Sequence, residues 1–312
     1  MNPKLHKILS DKRWKMREAR RLKCHYQFKD RSRGSDKMVM MLAGYKDYLY
    51  PAVFGRFRKY LMEGLDVCII TSGKFVPEID QMCEENGWSY LSTKENHVSL
   101  VQNVALNLHP QAKLVFKLDE DIFLCEGFFE NMLQAYEHAK EGQYEAGVIA
   151  PLIPVNGYGH VRVLEKLDLS DKYEELFGEK PLYAAGPEHI IENAPEVARF
   201  FWGEGGFVPT IDEMNQKFSS ETLEERPCPV RFSIGAILFE RSLWENMHYF
   251  DVNMRYPIGI DEENICAYCM NSSHPVMVSE NVLVGHFSFG PQNADMKKYY
   301  EENQAIFSDL PD

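Results

Sequence analysis

Short apolar runs alternate with amphipathic stretches through the first half of the chain. The apolar runs predict buried strands, and the stretches between them carry apolar residues at the three- and four-residue spacing of a helix. The predicted strands are 38–43, 67–70, 88–91, 114–118 and 147–150, and the predicted helices are 49–63, 77–87, 97–108 and 126–141. Because strands that alternate with helices form a parallel sheet covered on both faces, this pattern predicts an α/β fold with a mostly parallel sheet flanked by helices.

The pattern changes between residues 155 and 229, where Pro, Gly and aromatic residues are frequent and the alternation stops. The run Phe200-Phe201-Trp202 requires burial or a ligand, so we interpret this stretch as an ordered insertion rather than a linker. After it, the pattern predicts a strand over 231–239, a helix over 261–271 and a strand at 276–278. The sequence therefore predicts one domain that is interrupted by an insertion.

Charge is distributed unevenly along the 312 residues. The formal net charge is -13, yet residues 1–33 hold twelve bases and three acids, which leaves 22 bases and 44 acids for the remainder. A body with this excess of acids argues against a nucleic-acid coat protein, whose affinity depends on neutralising phosphates. We therefore treat residues 1–36 as a basic arm on an acidic body.

The seven cysteines are scattered and odd in number, which is typical of reduced thiols in a cytosolic protein. Cys266 and Cys269 form a C-x-x-C inside a predicted helix, and without a second pair we interpret them as packing thiols rather than zinc ligands. No apolar stretch is long enough for a spanning helix, and the charged N-terminus is unlike a signal peptide. The sequence thus predicts a cytoplasmic protein.

Three acids stand at the carboxyl end of a predicted strand, in the run Leu118-Asp119-Glu120-Asp121. Ligands of open α/β sheets bind at this edge. If the chain is still extended there, Asp119 and Asp121 point the same way, and a hard cation such as Mg²⁺ or Mn²⁺ would relieve their repulsion and hold a diphosphate. The alternative is a solvated acidic turn, which the preceding apolar strand makes less favoured.

Two further groups have the chemistry of a site. Asp261 and Glu262 open a predicted helix, where one of them could act as a general base towards a hydroxyl, or both could simply stabilise the helix dipole. His286 could complete a metal shell with Asp121 or serve the fold alone. The chain has neither a G-x-G-x-x-G after its first strand nor a P-loop, which disfavours both of those nucleotide sites.

In this order, the motifs resemble those of the inverting GT-A glycosyltransferases, in particular the family-2-like group, on both sides of the insertion. The stretch 96–106 is similar to the family's G-x-S-x-A-R-N helix, and the strand and acidic run that follow it resemble the D-x-D motif. The stretch 233–241 resembles the acceptor-side strand, and Asp261-Glu262 falls where the family has its E-D pair. The resemblance implies the Rossmann-like GT-A fold, a nucleotide-sugar donor and a divalent cation, Mn²⁺ or Mg²⁺.

The resemblance also implies roles in donor binding. Asp119 would contact the donor ribose or the cation, and Asp121 would bind the cation that bridges the diphosphate, with His286 as a further ligand. The other donor-binding residues that it implies are Tyr45, which would stack on the nucleobase or simply pack, Ser72 and Asn103.

On the acceptor side, the resemblance implies that Glu262 is the catalytic base and that Asp261 orients the acceptor. Trp202 and Gly235 would lie in the acceptor site, although a satellite core explains the aromatic run around Trp202 equally well. The stretch 71–74, Thr-Ser-Gly-Lys, departs from the family's D-G-S-x-D. The usual acidic contact to the nucleobase is therefore missing.

The sequence predicts a metal-dependent inverting glycosyltransferase of the hexosyl or N-acetylhexosaminyl class. A UDP-sugar is the favoured donor, and the acceptor is a hydroxyl of a glycan or glycolipid in bacterial surface-polysaccharide synthesis. The missing nucleobase contact supports an alternative, a non-catalytic GT-A-like scaffold partner of a transferase. A nucleotidyltransferase is disfavoured because 43–46 is not its Gly- and Arg-rich loop, and a D-x-D-x-T phosphatase because Phe123 replaces the Thr.

The predicted organisation is a single catalytic domain with four segments. These are the basic arm 1–36, a nucleotide-sugar-binding half 37–154, the acceptor-side insertion 155–229, and a catalytic-base and acceptor half with a C-terminal helix, 230–312.

The arm has two interpretations: residues 1–33 contact the inner face of an anionic membrane near a lipid-linked acceptor, or they form a solvated helix that packs on the body or on a neighbouring subunit. Nucleic acid is not an expected partner.

Overall fold

The computed structural model describes residues 3–256 and 258–308, apart from the side chains of 3–6, 8 and 308. The first two residues of the predicted arm and the last four of the C-terminal segment lie outside this part of the chain. The described strands are β1 (Tyr26–Lys29), β2 (Lys37–Ala43), β3 (Asp66–Thr71), β4 (Ser89–Thr93), β5 (Leu114–Asp119), β6 (Ile122–Leu124), β7 (Val148–Leu152), β8 (Glu225–Pro227), β9 (Ala236–Glu240) and β10 (Val276–His286). The described helices are α1 (Pro3–Arg21), α2 (Tyr50–Tyr60), α3 (Pro77–Asn86), α4 (Val98–Leu108), α5 (Phe128–Ala139), α6 (Gly159–Leu167), α7 (Ser170–Phe177), α8 (Ile190–Asn193), α9 (Pro195–Phe201), α10 (Ile211–Ser219), α11 (Arg241–Asn246), α12 (Ile260–Asn271), α13 (Asn293–Glu302) and α14 (Gln304–Ser308), with 3₁₀ turns at Asp47–Leu49, Glu204–Gly206 and Gly290–Gln292.

The chain forms two compact units, each assembled from three stretches. The first unit comprises Met1–Tyr45, Gly64–Leu118 and Phe239–Asn271, and the second comprises Lys46–Glu63, Asp119–Leu238 and Ser272–Asp312. Both units draw on residues of the two predicted halves that flank the insertion. The organisation into four segments and one domain therefore stays a prediction.

The first unit is built on the strand order β1-β4-β3-β2-β5. Strands β2, β3 and β4 run parallel, with Met40 opposite Cys68 and Ile70 opposite Leu91. Every residue of β3 and β4 is buried, as expected for central strands of a parallel sheet, and in β3 residues 67–70 form a continuous apolar run. Strand β1, which lies inside the predicted basic arm, pairs antiparallel with β4.

The second unit has the strand order β9-β7-β10-β6, and β8 also pairs with β10. Strand β10 is buried along its whole length; it runs parallel to β7 and antiparallel to β6 and β8. The predicted insertion belongs to this unit and contributes five helices, α6 to α10, and strand β8. Phe200 and Phe201 of the insertion contact each other and Tyr173, which gives the insertion an aromatic core of its own.

The predicted α/β class with a mostly parallel sheet flanked by helices is confirmed. The predicted elements of the first half agree with the described ones to within three residues at each end. The structure differs in three respects: the short strand β6 follows the acidic run at once, β10 continues to His286, and the strand predicted over 231–239 begins only at Ala236. No helix in the described part of the chain is long and apolar enough to cross a bilayer.

A buried charge cluster holds the insertion to β10. Glu280 has only 1% of its surface exposed, and its two carboxylate oxygens accept hydrogen bonds from Nε and Nη2 of Arg162 at 2.9 Å each. Lys166 and Arg226 lie 3.8 and 3.9 Å from the same carboxylate. Because Arg162 and Lys166 belong to α6, this acid ties the first helix of the insertion to the sheet.

We expect Glu280→Ala to lower the free energy of unfolding by about 3–5 kcal/mol, because it removes the one fully buried carboxylate of the cluster and with it both of the hydrogen bonds that this carboxylate accepts from Arg162. Urea denaturation of the purified protein measures this loss. The exposed pair of Lys172 and Glu175 in α7 provides the control, since Glu175→Ala should change the free energy by no more than about 0.5 kcal/mol. Equal stability of the two variants would contradict the assigned role of Glu280.

Candidate functional site

The acidic run lies at a turn in the second unit. Strand β5 ends at Asp119, the chain turns at Glu120 and Asp121, and β6 begins at Ile122. The extended conformation expected for Asp119–Asp121 is therefore corrected: β6 pairs antiparallel with β10, and the chain must change direction to reach it. The backbone N–H of Asp119 donates to the carbonyl of Gly235 at 2.8 Å, which fixes the start of the turn.

A buried carboxylate with two basic neighbours occupies this turn. Asp121 is 6% exposed, and its Oδ2 lies 2.5 Å from Nζ of Lys46 and 3.5 Å from Nε2 of His286. The structure thus brings Asp121 and His286 together, as the sequence indicates. The sequence prediction does not include Lys46, although a signal exists: a base three residues beyond the predicted strand 38–43 lies at the strand's carboxyl end, where ligands bind.

Backbone contacts fix the orientation of the His286 ring. Its Nδ1 lies 2.9 Å from the carbonyl oxygen of Val155, which can only accept, so Nδ1 carries a proton. Nε2 is then the ring nitrogen that faces Asp121. The backbone N–H of Phe287 also donates to the carbonyl of Asp121 at 3.0 Å, which holds the two elements in register.

The charges around Asp121 favour its ionised form. Burial alone would raise the pKa of this carboxyl, but the positive charge of Lys46 and the contact with His286 outweigh it and hold the pKa well below the usual range. Nearby, burial and the negative charge of Asp121 raise the pKa of Tyr48 to about 12, so its phenol stays protonated. Asp121 is therefore a permanent anion at neutral pH.

The residues at this turn fit a divalent cation with few protein ligands. In the part of the chain that the structure describes, no group of three His, Cys, Asp or Glu residues is placed to hold one ion, so the expected trio with Asp119 is not assembled. Asp121 and His286 remain as a carboxylate and an imidazole nitrogen that face each other at 3.5 Å. The carboxylate suits Mn²⁺ or Mg²⁺ and the imidazole suits Mn²⁺ better than Mg²⁺, and either ion would take its other ligands from water and substrate phosphates.

In the first unit, Tyr45 presents an aromatic ring to solvent. The ring is 53% exposed, its hydroxyl donates to the carbonyl of Ser72 at 2.5 Å, and Nζ of Lys74 lies 4.2 Å from the ring centroid. The Ser72 hydroxyl is buried and accepts from the backbone N–H of His97 at 2.6 Å. Tyr45 can offer its ring to a base, whereas Ser72 positions the start of α4.

Asn103 has a structural role in place of the expected donor contact. Its Oδ1 accepts from Nε1 of Trp244 at 2.8 Å and from the backbone N–H of Phe250 at 2.9 Å. Its Nδ2 donates to the carbonyls of Phe250 and Arg21 at 2.9 and 3.1 Å. Because the amide is buried and its hydrogen-bonding capacity is used within the protein, it has none left for a donor sugar.

The two acids at the start of α12 differ in their surroundings. Asp261 is 4% exposed, and its Oδ2 accepts a hydrogen bond from Nε2 of Gln102 at 2.7 Å. Glu262 is only half-buried and lies in the first turn of the helix. Asp261 is held in one position, whereas the side chain of Glu262 can reach solvent and a ligand there. The assignment of the base to Glu262 stays a prediction.

The two residues expected on the acceptor side instead support the turn in the second unit. Trp202 is buried, and its Nε1 donates to the carbonyls of His286 and Phe287 at 3.2 and 3.1 Å. The satellite core is therefore the better interpretation of this residue. At Gly235 a Cβ atom would lie 2.8 Å from Cδ1 of Ile122, so a side chain there would push aside the tip of the Ile122 side chain at the start of β6.

Comparisons with known proteins give structural matches only. No protein-family model matches the chain, and no curated protein matches it. GalNAc-T7 with UDP, GalNAc and Mn²⁺ is similar with a TM-score of 0.48 at 10% identity, over 89% of this chain and 52% of that one. The mannosyltransferase PcManGT from Pyrobaculum calidifontis, in complex with GDP-Man and Mn²⁺, gives 0.47 at 14% identity, over 87% and 62%. S. aureus TarS 1–349 in complex with UDP gives 0.47 at 11% identity, over 88% and 67%. The chain thus spans between half and two thirds of the length of these proteins.

Proposed function

We propose that this chain is a GT-A-type glycosyltransferase that moves a sugar from a nucleotide-sugar donor to a hydroxyl. The observation that carries the proposal is the buried Asp121, held between Lys46 and His286 at a turn where a strand of an α/β sheet ends. The order of motifs around it resembles that of the family-2-like enzymes. A divalent cation bound there would neutralise the charge that develops on the leaving diphosphate.

The residues of the chain then have distinct tasks. Asp121 and His286 bind the cation, and Lys46 supplies a positive charge for phosphate oxygens. In the first unit, Tyr45 offers its exposed ring to the nucleobase, and Glu262 takes the proton of the acceptor hydroxyl. We further propose that the reaction inverts the anomeric carbon and that the donor is a UDP-sugar of the hexosyl or N-acetylhexosaminyl class. The acceptor is a glycan or glycolipid in bacterial surface-polysaccharide synthesis, at the cytoplasmic side.

Titration calorimetry and a nucleotide-sugar panel test it. We expect UDP to bind only when Mn²⁺ or Mg²⁺ is present, and we expect one nucleotide sugar to be hydrolysed slowly without an acceptor. Failure of UDP and GDP to bind in either condition would instead favour a non-catalytic scaffold. The structural use of Ser72 and Asn103, together with the missing acidic contact to the base, is what supports that second candidate.

A further inference from the structure

We infer that Lys46 is an internal counter-cation that competes with the divalent cation for Asp121 and is released when the cation binds. This inference rests on the proposed function. Its starting point is one atom, Oδ2 of Asp121, which contacts Nζ of Lys46 at 2.5 Å and also faces Nε2 of His286 at 3.5 Å. An ammonium and a metal ion cannot both take that position beside the same oxygen.

Burial makes the competition effective. The side chains of Asp121 and His286 are each 9% exposed, and that of Lys46 is 19% exposed. A carboxylate in such surroundings needs a positive partner, and Lys46 supplies one while the cation is absent. A divalent cation on Asp121 would repel the ammonium in the same low-dielectric pocket, so Lys46 would have to move away.

The released lysine then gains a new role. Lys46 lies between β2 and the 3₁₀ turn Asp47–Leu49, and its four-carbon stem can turn without a change in the sheet. Once the cation neutralises Asp121, the free ammonium can donate to the oxygens of a bound diphosphate. The cation would therefore raise nucleotide affinity twice, by binding the phosphates itself and by releasing Lys46 to them.

Direct binding of Mn²⁺ without any nucleotide tests the competition. We expect Lys46→Met to bind Mn²⁺ about tenfold more tightly than the unaltered protein in electron paramagnetic resonance titrations, because the cation no longer displaces a charge-assisted hydrogen bond. Lys140→Met provides the control, since it removes the same charge from an exposed pair with Glu137 and should leave the affinity unchanged.

Equal or weaker binding of Mn²⁺ to Lys46→Met, or no binding to either protein, would overturn the inference. These outcomes are distinct from a failure of the proposed function, which would appear as tighter Mn²⁺ binding by Lys46→Met together with no nucleotide-sugar turnover by the unaltered protein.

Helix α1 carries a second inference independently: we propose that its outward face docks on an anionic lipid bilayer. The opposite face is already in use, because the ring of Trp14 stacks on His248 with 4.0 Å between the ring centroids and Glu18 contacts His248 Nδ1 at 2.8 Å. At the end of the helix, Arg21 donates to the carbonyl of Tyr249 at 3.1 Å and pairs with Asp251. The helix is therefore fixed to its own unit by one side.

The outward face combines bases with exposed aliphatic side chains. At about 100° per residue, positions 9, 12, 16 and 20 of α1 lie on the side opposite Trp14, and Lys23 follows just beyond the end of the helix. Leu9 and Met16 are 42% and 52% exposed there, and the bases around them are Lys12, Arg13, Lys15, Arg20 and Lys23. A surface that mixes aliphatic side chains with bases suits the interface of an anionic bilayer better than it suits a nucleic acid, because a nucleic acid offers no apolar layer.

Sedimentation with vesicles tests this surface. We expect the full chain to bind vesicles that contain phosphatidylglycerol and not vesicles of phosphatidylcholine alone, and we expect Lys12→Glu with Arg20→Glu to weaken binding by about tenfold or more. Lys140→Glu with Lys298→Glu is the control, because it makes the same change in charge at exposed positions elsewhere. Equal loss in both double variants, or binding to duplex DNA without binding to vesicles, would overturn the proposal.

Discussion

Asp121→Ala should reduce nucleotide-sugar hydrolysis and transfer by about a thousandfold or more while the protein stays folded. Lys46 and His286 both face Asp121, so its loss removes the proposed cation ligand and takes away the carboxylate that pairs with Lys46. Lys46 is 19% exposed and can turn towards solvent, so the cost in stability is small. Nucleotide release under saturating Mn²⁺ measures the activity, and circular dichroism checks the fold.

The same unit offers a matched control in Asp212. This acid also pairs with a cation, since it accepts from Nη1 and Nη2 of Arg56 at 2.9 and 2.6 Å, and Arg56 is almost completely buried. Asp212→Asn should therefore lower the stability more than Asp121→Ala does and leave turnover nearly unchanged. Near-normal turnover of Asp121→Ala would remove Asp121 from the site.

The sheet could be predicted from the sequence because its strands are buried on both faces. In β3, β4 and β7 every residue is buried, and β3 and β7 appear in the sequence as continuous apolar runs over 67–70 and 148–152. Strand β6 is different, because its three residues follow a turn and join the sheet by antiparallel pairing with β10, a partner far away in the sequence. The five helices of the insertion are equally hard to predict, since they are short and interrupted by Gly and Pro.

Some residues of the candidate site could likewise be predicted from the sequence, and others could not. The D-x-D run and His286 could be selected as candidates from residue type and from their positions near strand ends. In the structure, Oδ2 of Asp121 and Nε2 of His286 lie 3.5 Å apart. The role of Asn103 could not be predicted, because Trp244 and Phe250, which saturate its amide, lie far away in the chain. The sequence motifs do not include Lys46 for a related reason: its role comes from a tertiary contact with Asp121.

Glu262→Gln should leave donor binding intact and reduce transfer by about 10²–10⁴-fold, the contribution that a general base makes to such a step. The substitution keeps the size of the side chain and removes only its ability to take a proton. Glu262 is half-buried in the first turn of α12, so circular dichroism of the variant should check that the fold is retained. Calorimetry with UDP and Mn²⁺ measures binding, and transfer to a hydroxyl acceptor measures the chemistry.

Asp261→Asn separates the two acids. An Asn at position 261 retains an oxygen that can accept from Gln102 Nε2, so the local structure should persist and the expected effect is a raised KM for the acceptor with a smaller loss in kcat. If Glu262→Gln retains transfer while Asp261→Asn loses it, the base is Asp261, and its bond to Gln102 becomes the contact that orients the base. Joint loss of UDP binding and transfer in Glu262→Gln would instead mean that Glu262 supports the donor site, because a base acts only on the acceptor's proton.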